Sequence, residues 1–332
     1  VFAGCSPEAW PEFVGTPAAT PTPTVVDAEG QQRPAVTDAQ AGQIVQRIAQ
    51  TVAQADASTD ANLAATRLDG AALAARTTDY TLRKQIPDYK ALPAIPSDSL
   101  QIILPQAYDE WPRTVMVVAD QSTTSTIMML TQKDPWSNYK LVYTGDLGGS
   151  TQLPDLAPWY IGASQVPPDS TFLTIPPEKL AAAYADVLTN GANSASATLF
   201  DESADAFSKN VAADRQKRLD EFNSTATKTG TLEFGAAAGS QTPLALATLE
   251  SGAIVAVTID ETDTVKPSQA DVLIKLENNP TVKALTGVSE SQTGVTTTFQ
   301  DQLFFYVPAQ GSSEQIRVLG YSSNILDAKV LP

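Results

Sequence analysis

The spacing of apolar residues switches from a helical to a strand period twice along this chain, and that double switch limits its fold more than any other feature. Thr37-Asp38-Ala39-Gln40 reads as a capping box, in which a threonine hydroxyl and a glutamine three residues on satisfy exposed amides at a helix start. Ile44, Val45, Ile48 and Val52 then recur on one helical face. A second helix is expected from about Asn62 toward Tyr80, ending before Pro87. Beyond it the period changes to short apolar or β-branched runs at Leu100–Leu104, Thr114–Ala119, Thr126–Thr131 and Tyr139–Tyr143. The order then repeats. Pro176-Pro177 suits a helix start, with Leu180, Tyr184, Val187 and Leu188 on one face, and a further helix is expected through Phe200, Phe207 and Val211. Strand-sized runs follow at Thr231–Phe234, Leu244–Leu249, Ile254–Ile259, Val272–Leu276, Gly294–Phe299, Leu303–Val307 and Ile316–Tyr321.

Short turns join antiparallel strands, whereas parallel strands need a crossover that is usually a helix. No helical pattern interrupts either run of strands, so the fold class expected is α+β. It comprises two related domains, each with two N-terminal helices packed on an antiparallel meander. The boundaries expected are 37–165 and 166–332, joined by a proline-rich connector from Pro154 to Pro177. Thr66–Ala75 lies against Thr198–Phe207 at a constant offset, with Thr66, Asp69, Ala72 and Ala74 recurring. Independent cores would let each half fold alone, and the strand-like material at Val272–Phe299 would be an insertion in the second half only.

Residues 6–36 are rich in Pro, Ala and Thr, a composition that cannot build a core and favours extended chain. They read as a tether that reaches up to about 100 Å at roughly 3.1 Å per residue. Ahead of it stands Val1-Phe2-Ala3-Gly4-Cys5, with the sole cysteine after small residues. This resembles the end of a bacterial lipoprotein signal peptide. The resemblance implies that residues 1–5 are a signal remnant plus a lipidated Cys5, and that the chain sits on the outer face of the cytoplasmic membrane, facing the cell envelope. The membrane, through that lipid, is then a partner. No later apolar run is long enough to span a bilayer.

The formal charge of −16 opposes nucleic-acid binding, which runs on phosphate neutralisation by clustered Lys and Arg. With no histidine and one cysteine, His-based triads, disulfides and thiolate zinc clusters are excluded, and no tight nitrogen- or sulfur-ligated metal site is expected. No cofactor and no catalytic residue is assigned. The candidates for binding a ligand or partner are Trp111, Trp136, Tyr139, Trp159 and Tyr160, large amphipathic side chains in the first domain and its exit, together with Arg67 and Arg76. Asp260-Glu261-Thr262-Asp263 reads as a solvated turn after an apolar strand, and residues 214–221 as an exposed helical face of mixed sign.

Two helices before a meander resemble the cystatin-like and NTF2-like folds. The stretch Arg67-Leu68-Asp69-Gly70-Ala71-Ala72-Leu73, with Arg76 and Tyr80, is similar to secreted actinobacterial lipoproteins of unknown function. The function expected is a tethered binding or scaffolding module for an envelope protein or small ligand. The alternatives are an enzyme with an Asp/Tyr acid–base pocket, for which a deep pocket holding a perturbed carboxylate would speak, and a carrier of an apolar envelope lipid.

Overall fold

A computed structural model describes residues 34 and 36–332 apart from 108–109, 122–123, 150, 159 and 227–228. Cys5 and almost all of the tether lie outside the described residues, as does Trp159. Six α-helices and an antiparallel sheet make up the α+β fold of the described residues.

The first helix, α1 (Asp38–Ser58), starts on the expected capping box: Gln40 N–H donates to the Thr37 hydroxyl and Thr37 N–H to the Gln40 side chain. Its buried stripe is Ala41, Val45, Ile48, Val52 and Ala55. The expected second helix is broken into α2 (Ala61–Ala64) and α3 (Gly70–Gln85). Leu68 leaves the helical path to bridge Leu141, and the Asp69 carboxylate then caps α3 through Gly70 N–H. A fully buried leucine paired to a strand outweighs the cost of interrupting a helix.

Strands β1 (Leu100–Ile103), β2 (Arg113–Asp120), β3 (Ser125–Gln132) and β4 (Lys140–Leu147) form the first meander. After α4 (Pro177–Asn190) and α5 (Ala206–Ala226) come β5 (Gly230–Ala238), β6 (Leu244–Ala247) and β7 (Ala253–Pro267). The small pair β8 (Ile274–Lys275) and β9 (Glu290–Ser291) flanks α6 (Pro280–Thr286). Two long strands, β10 (Val295–Val307) and β11 (Arg317–Val330), end the fold. The inserted material is therefore residues 268–294, because Val295–Phe299 opens β10 rather than standing apart. The runs Gly294–Phe299 and Leu303–Val307 are one strand interrupted in sequence by Gln300-Asp301-Gln302, all three buried.

The strand order is β1-β2-β3-β4-β11-β10-β7-β5, with β6 also on β7. Each half contributes a four-stranded meander, and the last strands of the two meet at Leu147↔Gly320 and Asp146↔Tyr321. The expected boundary at 165/166 thus does not divide the sheet. Nor are the cores independent. Val115, Val117 and Ala119 of β2 pack under α1 and α3, while Val255, Val257 and Ile259 of β7 pack under α4 and α5. The alternate residues Met116, Val118, Ile254 and Ala256 join Tyr143, Phe304 and Tyr306 in a third core that both halves share. Strands buried on both faces lose the polar alternation that would mark an exposed side.

The sequence echo has a structural counterpart. Leu141 N–H donates to Arg67 C=O and Asp69 N–H to Leu141 C=O, both at 2.9 Å. In the second half Ile316 N–H donates to Leu199 C=O at 2.8 Å and Asp201 N–H to Ile316 C=O at 2.9 Å. The same two-bond ladder ties the segment before α3 to the last strand of one meander and the segment before α5 to the start of the other. The helices diverge after it: α3 begins directly behind Asp69, whereas Asp201 closes a turn onto Ser203 and α5 starts only at Ala206, leaving Phe200 outside the helix.

At the β4–β11 seam a Cβ on Gly320 would stand 2.5 Å from the Asp146 carbonyl oxygen and 3.0 Å from Leu147 Cα. Gly320→Ala is therefore expected to destabilise the fold by about 1–3 kcal/mol, the range for overpacking an interior. Urea unfolding of the variant measures it, and an unchanged midpoint would mean that the seam parts at no cost.

Candidate functional site

The residues singled out from sequence do not converge. Tyr139 is buried in the core under α1 and α3. Arg76 is buried as well, donating to Asp56 at 2.6 Å and to the Pro93 carbonyl, while Tyr80 O–H donates to the other Asp56 oxygen at 2.6 Å. That network ties α1, α3 and the chain after α3 together. Arg67 is half-buried, with its carbonyl in the ladder to Leu141. Trp111 is half-buried under the Arg113 guanidinium, and Tyr160 is exposed. Trp136 is 95% exposed at the tip of the β3–β4 hairpin. Asp134 braces that tip by accepting from Trp136 N–H, Ser137 N–H and the Ser137 hydroxyl, and these bonds hold its carboxyl below the usual range.

A cleft lies elsewhere. With a volume of about 810 Å³, it runs between α5, α6 and the helix-facing side of β7, β10 and β11, with Tyr89 at its rim. None of the described candidates lines it. Strand register sets its floor. Residues Glu261, Phe299 and Ile325 are neighbours across three strands, as are Ile259, Asp301 and Ser323 in the next row. Val257 and Ile259 belong to the apolar core, and the same alternation continues outward into Glu261 and Asp263. The stripe on α5 changes in step. Phe207 and Val211 are buried against the core, and Arg215 and Arg218 follow on the same face.

These charges meet. Arg215 donates to Glu261 at 2.5 Å, to the Leu188 carbonyl at 2.8 Å and to the Gly235 carbonyl at 3.3 Å. Arg218 donates to Asp263 and pairs with Asp214 at 3.3 Å, and its guanidinium lies 5.4 Å from the ring centres of both Phe234 and Phe299. The solvated turn expected at 260–263 is instead the middle of β7, and residues 214–221 are not simply an exposed face. The reason is pairing: β5 and β10 flank β7 through these residues, so its polar half continues the ladder rather than turning.

Beneath the cleft Asp301 is wholly buried. Neither of its oxygens has a well-formed hydrogen bond among the described residues; Ser323 and Glu261 are its polar neighbours. Burial is the main cause that pushes its carboxyl up to about 8, the Glu261 carboxylate adds to the rise, and Ser323 and Arg215 oppose it. Burial raises Asp263 as well, against the pull of Arg218. A carboxyl in so poorly solvated a place, beside another carboxylate, does not readily ionise, so Asp301 keeps its proton near neutral pH. Sequence reasoning missed this site, although its signal was present: the stripe Phe207, Val211, Arg215, Arg218 at helical spacing, and Val257, Ile259, Glu261, Asp263 at strand spacing.

Among the described residues no cluster of three or more Cys, Asp or Glu is arranged to hold a metal ion, and no helix is long and apolar enough to cross a membrane. Neither the curated proteins nor the solved structures include a match to the chain. A family model does match, over residues 32–330, which takes in all the described helices and strands. The chain belongs to the family described as a domain of unknown function, DUF8094.

Proposed function

We propose that this protein is a binding module of the cell envelope, tethered to the membrane by a lipid on Cys5, that holds a small ligand in the cleft between α5, α6 and the sheet. The observation that carries the reading is the cleft itself. Its volume of about 810 Å³ falls within the roughly 300–1,000 Å³ typical of small-molecule sites. Its aromatic and charged groups stand mostly on strands and one long helix, which hold a constellation more firmly than loops do. Charged side chains of Asp214, Arg218, Glu261 and Asp263 stand among the aromatic and aliphatic ones along its walls, which disfavours a purely apolar lipid as the cargo.

A second reading, an enzyme, is favoured by Asp301, whose carboxyl burial raises beside Glu261, since acid–base groups with perturbed pKa values gather at catalytic sites. It ranks lower because Asp301 is wholly buried and Glu261 is engaged by Arg215, so neither carboxyl is free to reach a substrate proton.

Two experiments test the proposal. Titrating the full-length protein with a small-molecule fragment library, followed by NMR, should shift resonances of Phe299, Tyr321 and Ser323 saturably. A screen in which no fragment perturbs the cleft removes the binding reading, and chemical change in a bound fragment would promote the enzyme. For the tether, Cys5→Ser is expected to move the protein from the membrane fraction to the soluble one, because a chain with this net charge has no electrostatic hold on anionic lipid. Retention of the variant on membranes in high salt would overturn the lipid anchor.

A further inference from the structure

We infer that the Trp136 hairpin tip seats in the lipid–water interface and turns one end of the first meander toward the membrane. The inference rests on the lipid anchor at Cys5 proposed above and adds a second contact with the same membrane.

The tether of residues 6–36 meets the fold at Pro34, which bridges to Gln106. Strand β1 runs antiparallel to β2, with Ile103 opposite Met116, so the chain leaves β1 toward the Arg113 end of β2. Five residues, at most about 18 Å of chain, then separate Gln106 from Trp111. Arg113 stands opposite Gln132, the last residue of β3, and the Gln132 side chain donates to the Ser137 carbonyl at 2.8 Å in the hairpin that carries Trp136. Tyr160 comes to this end along the connector. Ala163 N–H donates to Leu104 C=O at 2.7 Å and Gln106 N–H to Ala163 C=O at 3.0 Å. Gly162, at φ +80°, permits the approach, since a Cβ there would stand 2.9 Å from the Gln106 nitrogen. Trp111, Trp136 and Tyr160 thus belong to the end of the meander where the tether enters.

What this end presents suits a lipid surface. Trp136 is 95% exposed and Tyr160 61%. Indole and phenol rings, apolar bodies with a polar edge, are favoured at the boundary between lipid and water. The three hydrogen bonds that Asp134 accepts hold the tip in one shape, so the indole is presented with little further loss of freedom on insertion. Charge is balanced here. Residues 105–113 and 132–140 carry Arg113, Lys133 and Lys140 against Asp109, Glu110 and Asp134, although the whole chain carries −16. Headgroups that repel the chain as a whole therefore do not repel this end. One indole cannot hold the chain on a membrane without the lipid, since even a single myristoyl chain binds only marginally; the tip fixes orientation, not attachment.

The test reconstitutes the full-length lipidated protein in phosphatidylcholine vesicles whose acyl chains are brominated near the headgroup. It compares the parent with Trp136→Ser, a change at a side chain exposed enough to leave the fold intact. Bromine quenches indole fluorescence on contact. The parent is expected to lose more of its emission than the variant, by about a quarter of the total, the share of one tryptophan in four. Both proteins should float with the vesicles. Equal quenching of the two while they float overturns the inference and leaves the anchor standing. Failure of the parent to float overturns the anchor, and the inference falls with it.

Discussion

Arg215→Ala is expected to lower the unfolding free energy by about 3–5 kcal/mol, the cost of breaking a buried ion pair by removing one partner. The guanidinium donates to the Glu261 carboxylate and to two backbone carbonyls, from Leu188 and Gly235, so its loss leaves three acceptors without their donor. One of these is a carboxylate that already shares its surroundings with Asp301. Urea unfolding at neutral pH gives the size of the effect, and repeating it at low pH gives its origin. Protonated carboxyls no longer need the guanidinium, so the penalty should shrink as pH falls. Arg218→Ala is expected to cost less, since that guanidinium is more exposed and part of its pairing is with the solvated Asp214. A loss from Arg215→Ala below about 1 kcal/mol, the range of exposed pairs, would place Glu261 in contact with water rather than in a buried pair.

The second large effect is a fall in stability as pH rises through neutrality. The Asp301 carboxyl titrates at about 8 in the folded protein against 3.8 in the unfolded chain. Between those values the folded state keeps a proton that the unfolded chain has released, so raising the pH favours unfolding. The stabilisation is fully present below 3.8 and is lost as pH climbs through about 8, at up to about 1.4 kcal/mol per pH unit. Several charged or titratable groups act on Asp301 or feel it: Glu261 on β7, Arg215 on α5, and Tyr184 on α4 with its partner Asp205. Burial raises Asp79, Asp260 and Asp263 in the same direction. Asp301→Asn isolates the contribution of this one carboxyl, because an amide neither ionises nor repels Glu261. The variant should lose stability less steeply than the parent between pH 5 and 8, and unfolding curves at several pH values compare the slopes. Parallel slopes for parent and variant would mean that Asp301 is ionised throughout.

Much of the fold was legible because its signals are local. The capping box at Thr37 and Gln40 needs only neighbouring residues, as do the prolines opening α4. The breaks were less legible. Nothing between Asn62 and Tyr80 announces that Leu68 leaves the helix, since its partner Leu141 lies far along the chain. The polar triplet Gln300-Asp301-Gln302 reads as the end of one strand and the start of another until flanking strands on both sides supply its backbone partners.

The sequence alone determined the α+β class and the order of helices before strands in each half. Both follow from periodicity and from residue types acting within a few positions. Tertiary structure alone decided that the two meanders share one sheet and one core. Burial on both faces erases the alternation that would distinguish a shared core from two separate ones, and the seam consists of two residue pairs. Tertiary structure also made a site of Arg215, Arg218, Glu261 and Asp263. In sequence these are a mixed-charge helix and an acidic run, both ordinary on a surface, and only the packing of α5 across β7 removes them from water and turns their charges toward one another.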